Sequence, residues 1–243
     1  MRNYDPLLSF GEASAASYDD HPRGDEAETV AFLAEIARGG PALELAIGTG
    51  RIALPLSGRG IRVDGIELSP AMVAQMRRKP GGDRLAVTVG NMADVPVDGN
   101  YRLIYLIFNT LFNLLTQDDQ VRCFENVAKH LTDDGVFVVE AGLPSEFMGL
   151  PGDQYVRAEG VEVNEVRLDV ARYDPVTRTL DENHVVLTPE GVRLFPVVTR
   201  YAWPSELDLM ARIAGLRLQH RWAGWLWEPF TASSRRHISV YSR

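Results

Sequence analysis

The chain predicts an α/β fold: a doubly wound, mostly parallel seven-stranded sheet with an inserted antiparallel three-stranded β region. Three observations predict it. Short apolar runs alternate with helical patterns between residues 42 and 140, the spacing that parallel strands with crossover helices require. Over residues 145–203 the helical patterns stop and β-branched, alternating segments follow one another through turn sequences. One more helix and two more strand patterns then close the chain.

Taken in order, residues 1–24 are polar, small and irregular, with a helical stretch at Ala13–Tyr18. Residues 25–38 predict a helix, with Ala27, Val30, Phe32, Leu33 and Ile36 on its apolar face and Gly39-Gly40 stopping it. The first strand, 42–47, therefore follows 40 residues of helical cover, and it ends in the turn Gly48-Thr49-Gly50. Arg51–Ser57 forms the next helix, shortened by Pro55 and Gly58. A second strand over Ile61–Ile66 is tipped by the carboxylate of Glu67. Ser69-Pro70 is a helix start, a cap followed by proline at the first position, and Ala71–Lys79 continues it. Leu85–Val89 is a third strand, closed by Gly90-Asn91-Met92, and Leu103–Phe108 a fourth, apolar enough to be covered on both faces. Thr116 caps a helix whose Val121, Phe124, Val127 and Leu131 keep helical spacing, and Val136–Glu140 is the fifth strand.

The insertion carries strand patterns at Val161–Arg172, Thr177–Leu187 and Val192–Trp203, with a register slip near Asn164-Glu165 that reads as a bulge. Pro204 opens a helix that Gly215 stops, and Leu216–Arg221 and His237–Tyr241 supply the closing strands. Residues 1–144 and 204–243 thus make one domain and 145–203 a subdomain within it, serving as an acceptor lid or as a homodimer interface.

Bulk properties narrow the function. A length of 243 residues suits one large domain with an insertion. A net charge of −8 argues against a nucleic-acid partner, whose affinity is mostly cation–phosphate attraction. The basic runs Arg77-Arg78-Lys79 and Arg235-Arg236-His237 read as solvated helix-end and strand-edge charges. No apolar run reaches the roughly 20 residues needed to span a bilayer, and Met1–Pro6 lacks the layout of a signal peptide. A single cysteine, Cys123, excludes an internal disulfide and a multi-cysteine zinc site; its place in a helix is that of a small hydrophobe. These features predict a cytoplasmic protein without a metal.

The glycine turn and Glu67 together form apparatus for gripping an adenosine. Glycines let the backbone approach a ligand closely, and a carboxylate at the tip of the second strand accepts both ribose hydroxyl protons. Gly48-Thr49-Gly50-Arg51-Ile52-Ala53 also fits the relaxed dinucleotide fingerprint. Three features favour a different cofactor. Glu44 lies inside the first strand, where a carboxylate is costly to bury unless a polar or cationic neighbour meets it; a cofactor with an α-amino group gives a reason for it, a pyrophosphate does not. Asn91 ends the third strand with an amide able to accept from an adenine amino group while the next backbone N–H bonds a ring nitrogen. The first strand is preceded by helical cover carrying Tyr18-Asp19-Asp20 instead of opening the domain.

In these residues the chain resembles the class I S-adenosylmethionine (SAM)-dependent methyltransferases, motif by motif over about residues 15–143 and in element order over 204–243. Glu44-x-Ala46-x-Gly48-x-Gly50 is similar to the family's first motif, usually Asp/Glu-x-Gly-x-Gly-x-Gly. Ile66-Glu67-Leu68-Ser69-Pro70-Ala71-Met72 resembles the second, which implies Glu67 on the ribose and Met72 near the adenine. Gly90-Asn91-Met92-Ala93-Asp94 resembles the third, and Phe108-Asn109-Thr110 the loop that passes the methionine end of SAM. Two departures stand out. Ala46 replaces the first glycine, tolerable where its carbonyl approaches the ligand amine, and Asn91 replaces an acid, keeping an acceptor but losing charge. The resemblance implies a Rossmann-like fold and methyl transfer from SAM. The small-molecule acceptor, through nitrogen or oxygen, is the reading set against a macromolecular acceptor or a SAM-binding module without catalysis.

Further assignments carry two readings each. Arg51 either pairs with the SAM carboxylate, as the family often arranges, or is a surface arginine; Tyr18 either folds over the cofactor or makes an ordinary helix contact. Among His21, His130, His184, His220 and His237, only His184 is placed by the pattern to face the mouth of the insertion. The acceptor pocket is expected between the sheet's carboxyl edge and the insertion. Trp203, Trp222, Trp225 and Trp227, with Phe230, form either an aromatic wall for the acceptor or packing of the last strands.

Overall fold

The computed structural model describes every residue except 2, 3, 21, 22, 147, 149 and 150; His21 falls outside the described residues. Two short helices, α1 (Pro6–Phe10) and α2 (Glu12–Ser17), and a 3-10 turn at Tyr18–Asp20 precede α3 (Glu26–Ala37). The segment read as mostly irregular is therefore largely helical, because Asp5 caps α1 through the Leu7 N–H and Pro6 fits the first turn. The alternating run follows: β1 (Ala42–Leu45), α4 (Ala53–Gly58), β2 (Val63–Glu67), α5 (Pro70–Arg77), β3 (Ala86–Val89), β4 (Tyr101–Leu106), α6 (Gln117–His130) and β5 (Leu131–Gly142). Ser69 and Thr116 cap α5 and α6, accepting from the N–H groups of Met72 and Asp119. The insertion contains β6 (Gln154–Val161), β7 (Val166–Asp174), β8 (Thr179–Thr188) and β9 (Gly191–Arg200); α7 (Pro204–Ile213), β10 (Arg217–Trp222) and β11 (Arg236–Ser242) complete the chain.

The main sheet has the order β10-β11-β5-β4-β1-β2-β3. β3, β2, β1, β4 and β5 pair in parallel, and β11 pairs antiparallel with both β5 and β10. Chain direction across the sheet switches between β1 and β4, the place where open α/β sheets leave a crevice at their carboxyl edge. One core lies on the α3–α4–α5 face, with Phe32, Leu33, Leu56 and Met76. The other lies on the α6–α7 face, where Phe124, Leu207 and Met210 meet Ala171, Tyr173 and Leu180 of the insertion. Cys123 sits buried in α6, and its apolar surroundings push the thiol up to about 12. No described helix is long and apolar enough to cross a membrane.

One expectation is corrected. The insertion is a four-stranded antiparallel sheet, β6-β7-β8-β9, instead of three-stranded. The slip near Asn164-Glu165 is a hairpin turn: Val161 pairs with Val166 and the Glu162 N–H donates to the Glu165 carbonyl. Only one residue at the start of the predicted Val161–Arg172 strand belongs to β6. The rest of β6, Gln154–Gly160, mixes charged and small residues and has no alternation to read.

Candidate functional site

The carboxyl ends of β1, β2 and β3 open into a cavity of about 270 Å³. Eight of the thirteen residues predicted for the cofactor line it: Tyr18, Ala46, Gly48, Glu67, Leu68, Met72, Asn91 and Met92. In the turn after β1, Ala46 and Gly48, which line the cavity, and Gly50 beside it all have left-handed backbones, with φ of 55°, 56° and 75°. An alanine there is strained, by roughly 1–2 kcal/mol for an L-residue. The departure Ala46 thus keeps the glycine conformation without the glycine.

Glu67 is 6% exposed, and its two oxygens accept from the backbone N–H groups of Gly48 and Ser69, each at 2.8 Å. Burial raises its pKa, while the N–H groups of Ser69, Gly48 and Leu68 oppose that rise. The same carboxylate therefore ties the β1 turn to the start of α5 and borders the cavity. Met72 is buried at the first turn of α5. The Asn91 side-chain oxygen is turned to its own backbone, accepting from the Ala93 N–H at 2.9 Å. Pro6 and Phe10 of α1, and Thr110, Asn113, Leu114 and Leu115 after β4, complete the wall. Sequence reasoning missed all of these but Thr110, which stands in the motif read after the fourth strand. α1 is short, and which surface it covers is decided by tertiary packing.

The other five predicted residues lie beside that cavity without lining it. Glu44 is 4% exposed and accepts the Tyr105 hydroxyl at 2.9 Å. Desolvation pushes its pKa up to about 8 against the lowering effects of Tyr105, Arg51 and the Ala53 N–H. Gly50 supports the turn. Met76 of α5 and Leu54 stand where a Cβ would project, so a side chain there would collide. Arg51 pairs with Glu26 at 2.9 Å. Phe108 and Asn109 are consecutive non-glycine residues in the left-handed region, φ 62° and 60°, a conformation that persists only when neighbours hold it. Here Glu140 of β5 accepts the Phe108 N–H at 2.8 Å, and the Asn109 side-chain oxygen accepts the Gly142 N–H.

Glu140 also receives both guanidinium nitrogens of Arg23, at 3.2 and 3.3 Å, and Arg236. Arg23 lies 3.9 Å over the Phe108 ring. The N-terminal segment is thereby strapped across the β4–β5 edge. Asp19 adds a second tie, accepting from Thr49 at 2.7 Å and pairing with Lys79.

A second cavity, of about 350 Å³, opens on the other side of the segment after β4. Asn109, Phe112, Gly142, Leu143 and Pro144 form one wall; Tyr155, Arg157, Leu180, Glu182, Thr199 and Tyr201 of the insertion sheet form the other. Residues 109–115 thus separate two cavities. The insertion's contribution was legible only as a region, because one face of a half-exposed sheet cannot be told from the other by alternation alone.

The remaining candidates take structural places. Trp225 and Trp227 pack on Phe32, with ring centroids 5.3 and 4.2 Å away, and Trp222 meets Trp227 at 5.6 Å. These rings belong to the α3 face and line neither cavity, nor do Trp203 and Phe230, so the aromatic acceptor wall is not formed. His130 bonds the Asn126 and Val97 carbonyls, His220 stacks with Trp222, and His237 meets Ser239 Oγ at 2.8 Å. Burial and the nearby Arg221 hold the His237 imidazole neutral, down to about 3. His184 sits on the inner face of the insertion, 3.5 Å from Glu159 and 3.9 Å from Glu182, and does not line the cavity. Among the described residues no group of three or more His, Cys, Asp or Glu is placed to hold a metal.

Comparison with known proteins agrees with this geometry. Residues 42–135 match the family model of a methyltransferase domain. The structure is similar to that of the CcbJ methyltransferase from Streptomyces caelestis, with 38% identity, a TM-score of 0.91, and coverage of 98% of this chain and 99% of that one. A cypemycin N-terminal methyltransferase from Streptomyces sp is 26% identical over 208 residues, 83% of this chain and 82% of that protein. The dTDP-4-amino-2,3,4,6-tetradeoxy-D-glucose N,N-dimethyltransferase from Saccharopolyspora spinosa is 28% identical over 182 residues, 73% of this chain and 72% of that protein. The chain belongs to the class I SAM-dependent methyltransferases.

Proposed function

We propose that this enzyme transfers the methyl group to a nitrogen of a small molecule seated in the cavity beneath the insertion, with the cofactor in the cavity at the ends of β1–β3. The observation that supports the reading is the pair of cavities on the two sides of residues 109–115, one bordered by Glu67 and the other by the insertion sheet. The second lies within the size range of small-ligand pockets and the first just below it. The relatives named for an N-terminal amine and for an amino sugar support nitrogen over oxygen.

The residues present fit SAM. The left-handed turn brings backbone close to a ligand, Glu67 presents a carboxylate to ribose hydroxyls, and the buried Glu44 has only the neutral hydroxyl of Tyr105 as its side-chain donor, leaving it suited to a nearby ammonium. When bound, SAM supplies a methyl already activated on a sulfonium. The chain's own residues then have three tasks. Glu67, Asn91 and Met72 fix the nucleoside. Phe108 and Asn109, pinned to β5, hold the passage between the cavities. Tyr18, α1 and the insertion exclude water. Positioning of this kind is worth roughly 7–11 kcal/mol of barrier. An amine acceptor needs only to be neutral when it attacks, so no buried base is demanded of the site.

The test is an incubation with methyl-labelled SAM and, in separate reactions, small amines, matched alcohols, a peptide pool and RNA. Label in small amines with equal release of S-adenosylhomocysteine is the expected result. Label appearing in RNA, or SAM binding without turnover of any acceptor class, contradicts the reading.

A further inference from the structure

The inner face of the insertion sheet holds a side-chain cluster that the transfer of a methyl group does not itself require. Glu182 lines the second cavity, and Asp169 lies beside it on the neighbouring strand, 1% exposed. The Tyr155 hydroxyl stands between them, 2.9 Å from Glu182 Oε1 and 3.1 Å from Asp169 Oδ2. A phenol carries one proton and cannot donate to both oxygens at once. Arg157 adds a bond to Asp169 Oδ2 at 3.0 Å, on the same oxygen that Tyr155 already faces. Asp169 Oδ1, buried, has no hydrogen-bond partner. The cluster is therefore short of donors.

It is also short of positive charge. In the ion pairs of the described residues, Glu159, Asp169 and Glu182 meet one guanidinium, Arg157, whose side chain is two-thirds exposed, and one imidazole, His184. Burying carboxylates without full pairing is costly, and a protein keeps such a group where a ligand meets it. Burial, and the neighbouring Asp169, raise the pKa of Glu182, consistent with two acids crowded into one site.

We infer that Glu182, with Asp169 and Tyr155 behind it, recognises an ammonium group of the acceptor other than the nitrogen that takes the methyl, and so selects basic molecules over neutral ones of the same shape. The inference rests on the acceptor cavity proposed above and adds the chemistry that fills it. The recognition step forms no covalent bond and moves no proton. An ammonium has the donors that the cluster lacks and the charge that it needs, whereas a neutral hydroxyl offers one donor and no charge. Asn109 and Phe112, across the cavity, belong to the segment 109–115 that separates it from the cofactor cavity.

The experiment uses the whole protein saturated with S-adenosylhomocysteine and two probes of one shape, cyclohexylammonium and cyclohexanol, in a chemical-shift titration. Cyclohexylammonium is expected to bind at least about ten-fold more tightly than cyclohexanol, and E182Q to remove that preference. D169N is expected to weaken it, and E162Q, at the exposed hairpin tip, to leave it unchanged. Melting temperatures of the variants within a few degrees of the parent confirm that they fold. Equal binding of the two probes, no binding of cyclohexylammonium, or a preference surviving in E182Q overturns the inference. Failure of S-adenosylhomocysteine to bind would instead sink the proposed function.

Discussion

The cofactor side and the acceptor side of this molecule are built on opposite plans. Every residue of β1 and β2 is buried, and at their carboxyl ends the cofactor cavity is bordered by the left-handed turn after β1 and by one carboxylate, Glu67, fixed by two backbone N–H donors. In the insertion, β6 has no fully buried residue and β8 has one, Leu180. There the cavity wall is made of side chains on one sheet face. A site made of backbone tolerates little change in sequence. A site made of side chains on a half-exposed sheet can be re-aimed residue by residue, which is the basis for proposing that the insertion sets the choice of acceptor.

The largest test of that contrast is Glu44. Its folded pKa of about 8 lies above the ordinary carboxylate value of 4.5, so the folded state holds a proton that the unfolded chain releases. The stabilisation is complete below about pH 4.5 and is lost as pH rises through 8, an effect on the order of several kcal/mol. Below pH 6.5 the buried neutral His237 acts in the opposite direction, so it is between about pH 6.5 and 8 that thermal unfolding of the ligand-free protein should slope downward, and E44Q should flatten that slope. A parallel pH profile in E44Q contradicts the assignment.

Glu67 comes next. Truncation in E67A leaves the Gly48 and Ser69 N–H groups and the ribose hydroxyls without their acceptor, and SAM affinity is expected to fall by about 1–3 kcal/mol. E67Q, which keeps an acceptor oxygen, should lose less; the two are compared by calorimetry. The smallest effect is at Ala46. Replacing it with glycine removes the Cβ strain at φ 55° but adds unfolded-state entropy, for a net gain in stability of up to about 1 kcal/mol. A loss in denaturant midpoint would show that the alanine methyl packs to advantage.

Legibility in the sequence follows the same divide. The glycine turn, Glu67 and the Ser69-Pro70 cap are local signals: each residue type is demanded by the backbone at its own position, and each was placed correctly. Glu44 was singled out because a charge in a buried strand is costly, and the structure finds it buried with Tyr105. β6 was not legible, since residues such as Arg157, Glu159 and Gly160 show no alternation when both faces of a strand are partly wet. The Tyr155–Asp169–Glu182 cluster joins three strands, so no spacing within one segment announces it. Of the two readings of the tryptophans, packing holds for Trp222, Trp225 and Trp227; composition alone could not choose, because aromatic content marks burial and which face is buried depends on where α3 lies.

The most direct measurement is calorimetric titration of S-adenosylhomocysteine into the parent protein, E67A and E182Q. Two separate sites predict about five-fold or greater weakening in E67A and a dissociation constant in E182Q equal to that of the parent. Equal weakening in both variants, or none in E67A, would contradict the division of labour between the sheet's carboxyl edge and the insertion.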